Sequence, residues 1–266
     1  MKSKNKNLSE QDTKLYKKNG WIIVRDVFDK KYINKIKKEL MNQTKKESDF
    51  FYYEIINKKR KLRRIEKVTD FSKSSKKLIC SKKTINIIKI LEKDKYLLFK
   101  DKLNFKFPGG KGYLPHIDGH FYWRDNNKKY QNGWNKYSSN FINVVLPLEE
   151  SNIKNGCIYV ANKNDTNKIG KSFKKITDKL LINTPNIRPQ DLKKFNFFPI
   201  ELKVGDICLF NWKCAHYSEN NQSNKSRMIF YATFCKKNQE RSVRKMYYLD
   251  KQSSYNSKKN KSLLFT

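Results

Sequence analysis

Six short β-type runs crowd the second half of this chain and limit it to a small set of folds. Tyr96–Phe107, Phe141–Leu148, Cys157–Val160, Phe198–Leu202, Ile207–Trp212 and Met228–Cys235 are rich in β-branched and aromatic residues. Gly, Pro, Asn or Asp clusters separate them. Before Tyr96 the texture is more helical. Leu8–Asn19 reads as a helix ending on the C-cap pair Asn19-Gly20, and Trp21–Val24 as a short apolar strand. Asp29 can cap a second helix, with Tyr32, Ile33, Ile36 and Leu40 along one face. Ser81–Lys93 carries Ile85, Ile87, Ile88, Ile90 and Leu91 as a buried helix. The basic run Lys58–Lys67 reads as a solvated strand pair or loop. Helices first and many short strands later predict a mainly β sandwich or barrel with helices packed outside. The 266 residues suit a single domain. Its expected parts are a helical portion over about 8–95, a β core over about 96–235 and a polar tail over about 250–266.

Charge narrows the function less than its size suggests. Sixty Lys and Arg against 25 Asp and Glu give a formal charge of +35. Only nine of the sixty are Arg, and the Lys residues are scattered from Lys2 to Lys261 rather than gathered in one arm. Bidentate phosphate grip and base readout favour Arg. Nucleic-acid binding is therefore possible but not favoured, and steering of small anions is the better use of the charge. The start, Met1–Asp12, is basic and polar with no apolar stretch after it, and no apolar run approaches the roughly 20 residues of a membrane helix. The expected location is cytoplasmic. Cys80, Cys157, Cys208, Cys214 and Cys235 show no C-x-x-C spacing and read as reduced, mostly buried thiols.

The chain has three histidines, and two sit in an informative pattern. His116-Ile117-Asp118 places an imidazole and a carboxylate two residues apart, on one face of an extended segment. His216 follows the strand Ile207–Trp212, and if the strands wrap it can close a two-histidine, one-carboxylate set. Arg227, eleven residues later, opens the next strand. In an antiparallel return it lies near the metal but deeper, where a guanidinium can grip a carboxylate bidentately. Ser218 can add a hydroxyl to the same carboxylate. A 2-oxoglutarate that chelates iron through its keto-acid end needs that anchor.

These pieces, in order, resemble the phytanoyl-CoA dioxygenase family of iron(II)/2-oxoglutarate oxygenases. The resemblance rests on Tyr16–Arg25, Leu103–Gly110 leading into His116-Ile-Asp118, and the Asn155-Gly-Cys-Ile turn within Glu149–Cys157. It continues through Gly205–Phe210 and His216-Tyr-Ser218 with Asn220, Ser223 and Arg227, and spans roughly residues 8–235. It implies a double-stranded β-helix, a jelly-roll or cupin-like core. It also implies a dioxygenase that uses Fe(II), 2-oxoglutarate and O₂ to hydroxylate a small organic substrate, releasing succinate and CO₂. The basic surface points to an anionic substrate. Residue by residue, His116, Asp118 and His216 become the iron ligands, and Arg227 and Ser218 the holders of the distal carboxylate. Asn104 and Tyr113 fall where ectoine-hydroxylase-like members contact the cosubstrate, and Lys106 shares a strand face with Asn104. Phe121–Asn140 looks like an insertion whose Tyr122, Trp123 and Trp134 can cover a substrate. His120 reads as a neighbour of the site rather than a ligand. Ile117 replaces a frequent Gln, and Ala161-Asn-Lys-Asn164 replaces the usual Pro-Gly-Ser-His. Halogenating relatives lack the carboxylate ligand, so Asp118 favours hydroxylation. The alternative is a basic nucleic-acid-binding protein on the same scaffold with a vestigial metal site.

Overall fold

The computed structural model describes residues 8–44, 50–118, 122–124, 129–169, 187–237 and 242–254. The first part runs α1 (Glu10–Asn19), β1 (Trp21–Val24), α2 (Lys30–Gln43), β2 (Phe51–Ile56), β3 (Lys59–Glu66), α3 (Val68–Phe71), α4 (Lys73–Ile79) and α5 (Lys82–Glu92). The β core follows as β4 (Tyr96–Lys106), β5 (Tyr113–Ile117), β6 (Tyr122–Arg124), β7 (Tyr130–Asn132), β8 (Phe141–Pro147) and β9 (Ile158–Ala161). Then come α6 (Lys163–Ile169), β10 (Phe197–Ile200), β11 (Ile207–Asn211), β12 (Ala215–Ser218), β13 (Arg227–Lys236) and α7 (Val243–Ser254).

The local signals act as the sequence dictates. Ser9 caps α1 through a reciprocal pair with Asp12, and Gly20 ends it in the left-handed region (φ 81°). Asp29 and Ser81 cap α2 and α5. Ile33, Ile36 and Leu40 form the buried face of α2. Tyr32 does not join them; at 40% exposure it lies on the solvent side, one residue off the stripe.

Two antiparallel sheets make a jelly-roll double-stranded β-helix. Seven strands in the order β1-β11-β8-β13-β4-β3-β2 form the larger sheet, and β10-β9-β12-β5 the smaller. On β8 and β13, one set of alternate residues (Val144, Leu146, Met228, Phe230) packs in the same core cluster as Ile33, Ile36 and Ile88 of the helices. The other set (Val145, Ile229) meets Ile158, Val160 and Ile200 of the smaller sheet. Both faces of β8 are buried for this reason, so it reads as an unbroken apolar run rather than an alternating one.

The first ninety-five residues are less purely helical than expected. β1 pairs with β11, and the β2–β3 hairpin adds two strands beyond β4. The run over Lys58–Lys67 is thus a hairpin arm, and it is not wholly solvated. Arg63 is 2% exposed because Glu54 of β2 meets it at 2.6 Å. Helix α7 has no counterpart in the sequence reading, and it reaches into the segment expected to be a polar tail. Arg244 anchors it to Asp101 (2.8 Å) and Lys251 to Glu66 (2.5 Å). All five thiols are free, and four are buried. No helix among the described residues is long and apolar enough to cross a membrane.

Candidate metal and carboxylate site

His116 on β5 and His216 on β12 are direct cross-strand partners, so their rings project to one face, with centroids 4.2 Å apart. Asp118 lies two residues beyond His116, just past the end of β5, on the same side. One ligand atom from each of the three lies within 4.8 Å of the others. Both rings are oriented by main chain. Nδ1 of His116 donates to the Leu114 carbonyl (2.7 Å), and Nδ1 of His216 to the Cys214 carbonyl (3.1 Å). Each ring therefore turns an unprotonated Nε2 into the site. Burial holds both imidazoles neutral. His116 is pushed down to about 3 by burial and then by His216, and His216 is lowered by burial too. Burial opposes the charge on Asp118, but Lys100 beside it holds its carboxyl well below the usual range. Asn143 Nδ2 donates to Asp118 Oδ2 (2.8 Å), and Thr233 Oγ1 donates in turn to Asn143 Oδ1 (2.7 Å). Two neutral nitrogens and an oriented carboxylate suit a divalent first-row metal, with positions left over for other ligands.

A second cluster begins two residues along the strands, roughly 7 Å away. Arg227 on β13 sits directly opposite Lys106 on β4, and each is only 1% exposed. Like charges facing each other across a ladder are unfavourable, and more so in a buried site. Lys106 Nζ donates to Ser218 Oγ (2.9 Å) and to the carbonyls of Gly156 (3.1 Å) and Glu219 (2.5 Å), which links the two sheets. Burial, and then Arg227, push its ammonium down to about 6. The Asn155-Gly-Cys turn brings Gly156 there with φ +73°. A Cβ on it would stand 2.4 Å from the Glu219 carbonyl and 3.0 Å from Lys106 Nζ, so the close approach requires glycine.

Four polar atoms in this cluster are buried without a partner among the described residues. They are Nε and Nη1 of Arg227, Oδ1 of Asn104 and the Tyr113 hydroxyl. An unmade hydrogen bond of this kind costs about 1–3 kcal/mol, more for a charged group. Ser218 Oγ already accepts from Lys106 and from the Tyr113 amide (3.2 Å), so its own hydrogen remains to be donated. A dicarboxylate supplies the acceptors that Arg227 and Ser218 lack, and the cluster fits 2-oxoglutarate on that ground.

The candidates from sequence are thus brought together with three exceptions. Tyr122 and Trp123 lie on β6, which pairs with β7, but their side chains fall outside the described residues, as does His120 altogether. Trp134 is 3% exposed and packs against Phe99, Phe141 and Trp212, with the Lys100 ammonium 3.7 Å over its ring. Sequence reasoning passed over Asn143, Thr233, Lys100 and Lys102. Asn143 had a signal, a lone amide inside an apolar run. The lysines did too, as alternate residues of β4.

The comparisons with known proteins agree with this geometry. The profile of the phytanoyl-CoA dioxygenase (PhyH) family matches residues 16–229. The 2-aminoethylphosphonate dioxygenase of Uncultured bacterium HF130_AEPn_1 is 29% identical over 196 residues, 74% of this chain and 67% of that protein. The methylphosphonate hydroxylase of Gimesia maris (strain ATCC 29201 / DSM 8797 / 534-30) is 22% identical over 195 residues, 72% of this chain and 65% of that one. The chain thus spans about two thirds of the length of these relatives. Among solved structures, SnoN from nogalamycin biosynthesis, a non-haem α-ketoglutarate-dependent epimerase, superposes with a TM-score of 0.66 at 13% identity, covering 85% of this chain and 82% of that one. The His-Asp-His triad, the buried arginine without a counter-charge among the described residues and the extent of the profile match lead to one assignment: this chain belongs to the phytanoyl-CoA dioxygenase family of iron(II)- and 2-oxoglutarate-dependent enzymes.

Proposed function

We propose that the protein hydroxylates a small anionic organic substrate, converting C–H, O₂ and 2-oxoglutarate to C–OH, succinate and CO₂. The observation that carries this reading is Arg227, a fully buried guanidinium with two unpartnered nitrogens beside a His-Asp-His set. His116, Asp118 and His216 hold iron(II), which when bound activates O₂ as 2-oxoglutarate is decarboxylated. Arg227 and Ser218 bind the distal carboxylate of 2-oxoglutarate. Lys106 keeps Ser218 in place, while Asn104 and Tyr113 line the path between this end and the metal. Asn143 and Thr233 fix which oxygen of Asp118 faces the metal. The phosphonate-acting relatives support an anionic substrate. The epimerase with the same fold is a reminder that the scaffold alone does not choose the reaction. On this reading Trp134, whose ring lies under the Lys100 ammonium, stands on the substrate side.

An anaerobic titration with iron(II) and then 2-oxoglutarate tests the reading. The expected result is a weak visible charge-transfer band that is lost in His116→Ala and His216→Ala. Arg227→Ala should need far more 2-oxoglutarate to reach the same band. A folded wild-type protein that forms no band would overturn the assignment.

A further inference from the structure

Alternate residues of β4 point to the inner face of the larger sheet: Lys100, Lys102, Asn104 and Lys106. Asn104 and Lys106 belong to the carboxylate cluster. Lys100 and Lys102 stand at the triad end, and the proposed function gives neither of them a task. Their cross-strand partners on β13 are Thr233 and Tyr231, so they look across the same interior as the triad.

Neither ammonium has a carboxylate within hydrogen-bond reach among the described residues. The nearest carboxylate oxygen to Lys100 Nζ is Asp118 Oδ1 at 4.0 Å, beyond hydrogen-bond reach; otherwise the group lies 3.7 Å over the Trp134 ring. Lys102 makes no hydrogen bond or ion pair among the described residues. It is flanked by the rings of Tyr231 (5.4 Å) and Tyr113 (6.0 Å). Glu66 lies across the β3–β4 ladder from Lys102, but its oxygens are held by Lys251 (2.5 Å) and Arg64 (3.3 Å). Among the described residues Glu66 is therefore engaged by other cations, and Asp118 is the carboxylate that Lys100 approaches. Asp118 is further committed to Asn143 and to the metal set. Lys100, whose ammonium burial brings down to about 7, and Lys102 thus have no hydrogen-bonded carboxylate among the described residues, and they stand two residues apart, roughly 7 Å along the strand.

We infer that Lys100 and Lys102 are the substrate-recognition pair, gripping a doubly charged phosphonate-type head group between them so that the carbon beside it faces the triad. Two ammonium groups offer up to six donors, which suits the three acceptor oxygens of such a head group better than the two of a carboxylate. Trp134 and Tyr231 wall the same space and exclude water from the ion pair. The inference rests on the proposed function, because the triad defines where the substrate must react.

The test uses the full chain loaded anaerobically with iron(II) and 2-oxoglutarate, titrated calorimetrically with methylphosphonate, 2-aminoethylphosphonate, acetate and ethanolamine. Both phosphonates should bind, acetate more weakly, and ethanolamine not at all. Lys100→Gln and Lys102→Gln should each weaken methylphosphonate about tenfold or more, and Lys100→Arg should retain most of the affinity. Lys14→Met, which removes an equal charge from the exposed face of α1, should bind like wild type. Thermal unfolding of each variant separates lost binding from lost fold, and Lys100→Arg keeps the comparison usable if a Gln variant unfolds. Equal methylphosphonate binding by wild type and both Gln variants would overturn the inference, as would tighter binding of acetate. A charge-transfer band with no phosphonate binding would overturn it while leaving the proposed function intact. Absence of the band in the wild type would remove both.

Discussion

Two buried arginines, on strands separated only by β4, make opposite use of the same side chain. Arg63 on β3 is 2% exposed and has its counter-charge from the chain. Its guanidinium donates to Glu54 Oε2 (2.6 Å) and to the carbonyls of Lys111 and Gly112 (both 2.8 Å). Arg227 on β13 is 1% exposed, yet Nε and Nη1 find no acceptor among the described residues, and its cross-strand neighbour is another cation, Lys106. A buried charge is tolerated when the chain supplies its counter-charge. The first arginine therefore belongs to the architecture of the hairpin and the loop before β5. On the proposed function the second is kept for a ligand, and the fold carries its cost until a carboxylate arrives.

The contrast predicts opposite responses to mutation. Glu54→Ala should be the most damaging change, because it strands the Arg63 charge in the interior. The expected loss is about 3–5 kcal/mol, with a melting temperature lower by roughly 10 °C. Arg227→Met should leave the ligand-free protein within about 1 kcal/mol of wild type, since it removes a charge that has no counter-charge among the described residues and gives up one hydrogen bond, with Tyr231. Its penalty should appear only with ligand. At a hundredfold excess over Kd, 2-oxoglutarate should stabilise the iron-loaded wild type by about 2.7 kcal/mol and the variant hardly at all. Thermal melts of both variants with and without 2-oxoglutarate test the pair together. An Arg227→Met protein that is badly destabilised without ligand would mean that the two arginines are alike after all.

Lys106→Met sharpens the comparison at a smaller scale. Lys106 has acceptors from the chain, as Arg63 does, but it stands in the ligand cluster, as Arg227 does. Its loss leaves Ser218 and two carbonyls without their donor. About tenfold weaker 2-oxoglutarate binding is expected, less than for Arg227, because Lys106 acts on the carboxylate mainly through the serine hydroxyl. Titration of the charge-transfer band in the variant gives the number, and a loss as large as that of Arg227→Met would place Lys106 on the carboxylate itself.

What could be read from the sequence follows the same division. Strand runs, helix caps and the His116-Ile117-Asp118 triplet are local, and they carry their meaning in adjacent residues. Arg227 stood out because it opens a strand shortly after His216 in a chain with few arginines. Arg63 did not, because its partner Glu54 lies across a hairpin turn, and in sequence it looks like one more charge in a basic run. Asn143, Thr233 and Lys100 gain their roles only when β8, β13 and β4 become neighbours in an order unrelated to the chain. Helix α7 was missed for a related reason. Its anchors are ion pairs with Asp101 and Glu66, more than a hundred residues upstream, and the packing of Val243, Met246 and Tyr247 against Phe99, Trp134 and Phe141, which only the fold brings near.

The Glu66–Lys251 pair lies between the two arginines in character and gives the smallest effect. Glu66 is buried and Lys251 half-buried, and Lys251 Nζ reaches Glu66 Oε2 at 2.5 Å. Burial alone would raise the Glu66 carboxyl, but Lys251 and Arg64 bring it down from 4.5 to about 2. A carboxyl lowered on folding contributes stability above its ordinary pKa and loses it as the pH falls towards the folded value. The contribution should therefore be complete above about pH 4.5 and nearly gone by pH 2. Burial lowers Lys251 at the same time, so the cost of holding that ammonium offsets part of the gain, and a net value of about 1 kcal/mol is expected. The difference in unfolding free energy between wild type and Glu66→Gln, followed from pH 7 down to pH 3, should shrink with acid. Hydrogen exchange should show α7 loosening first, because Lys251 ties that helix to the sheet. A difference that stays constant with pH would mean that Glu66 acts through packing and hydrogen bonding rather than charge. The pair would then contribute nothing to the distinction between charges the chain matches itself and charges it leaves for a ligand.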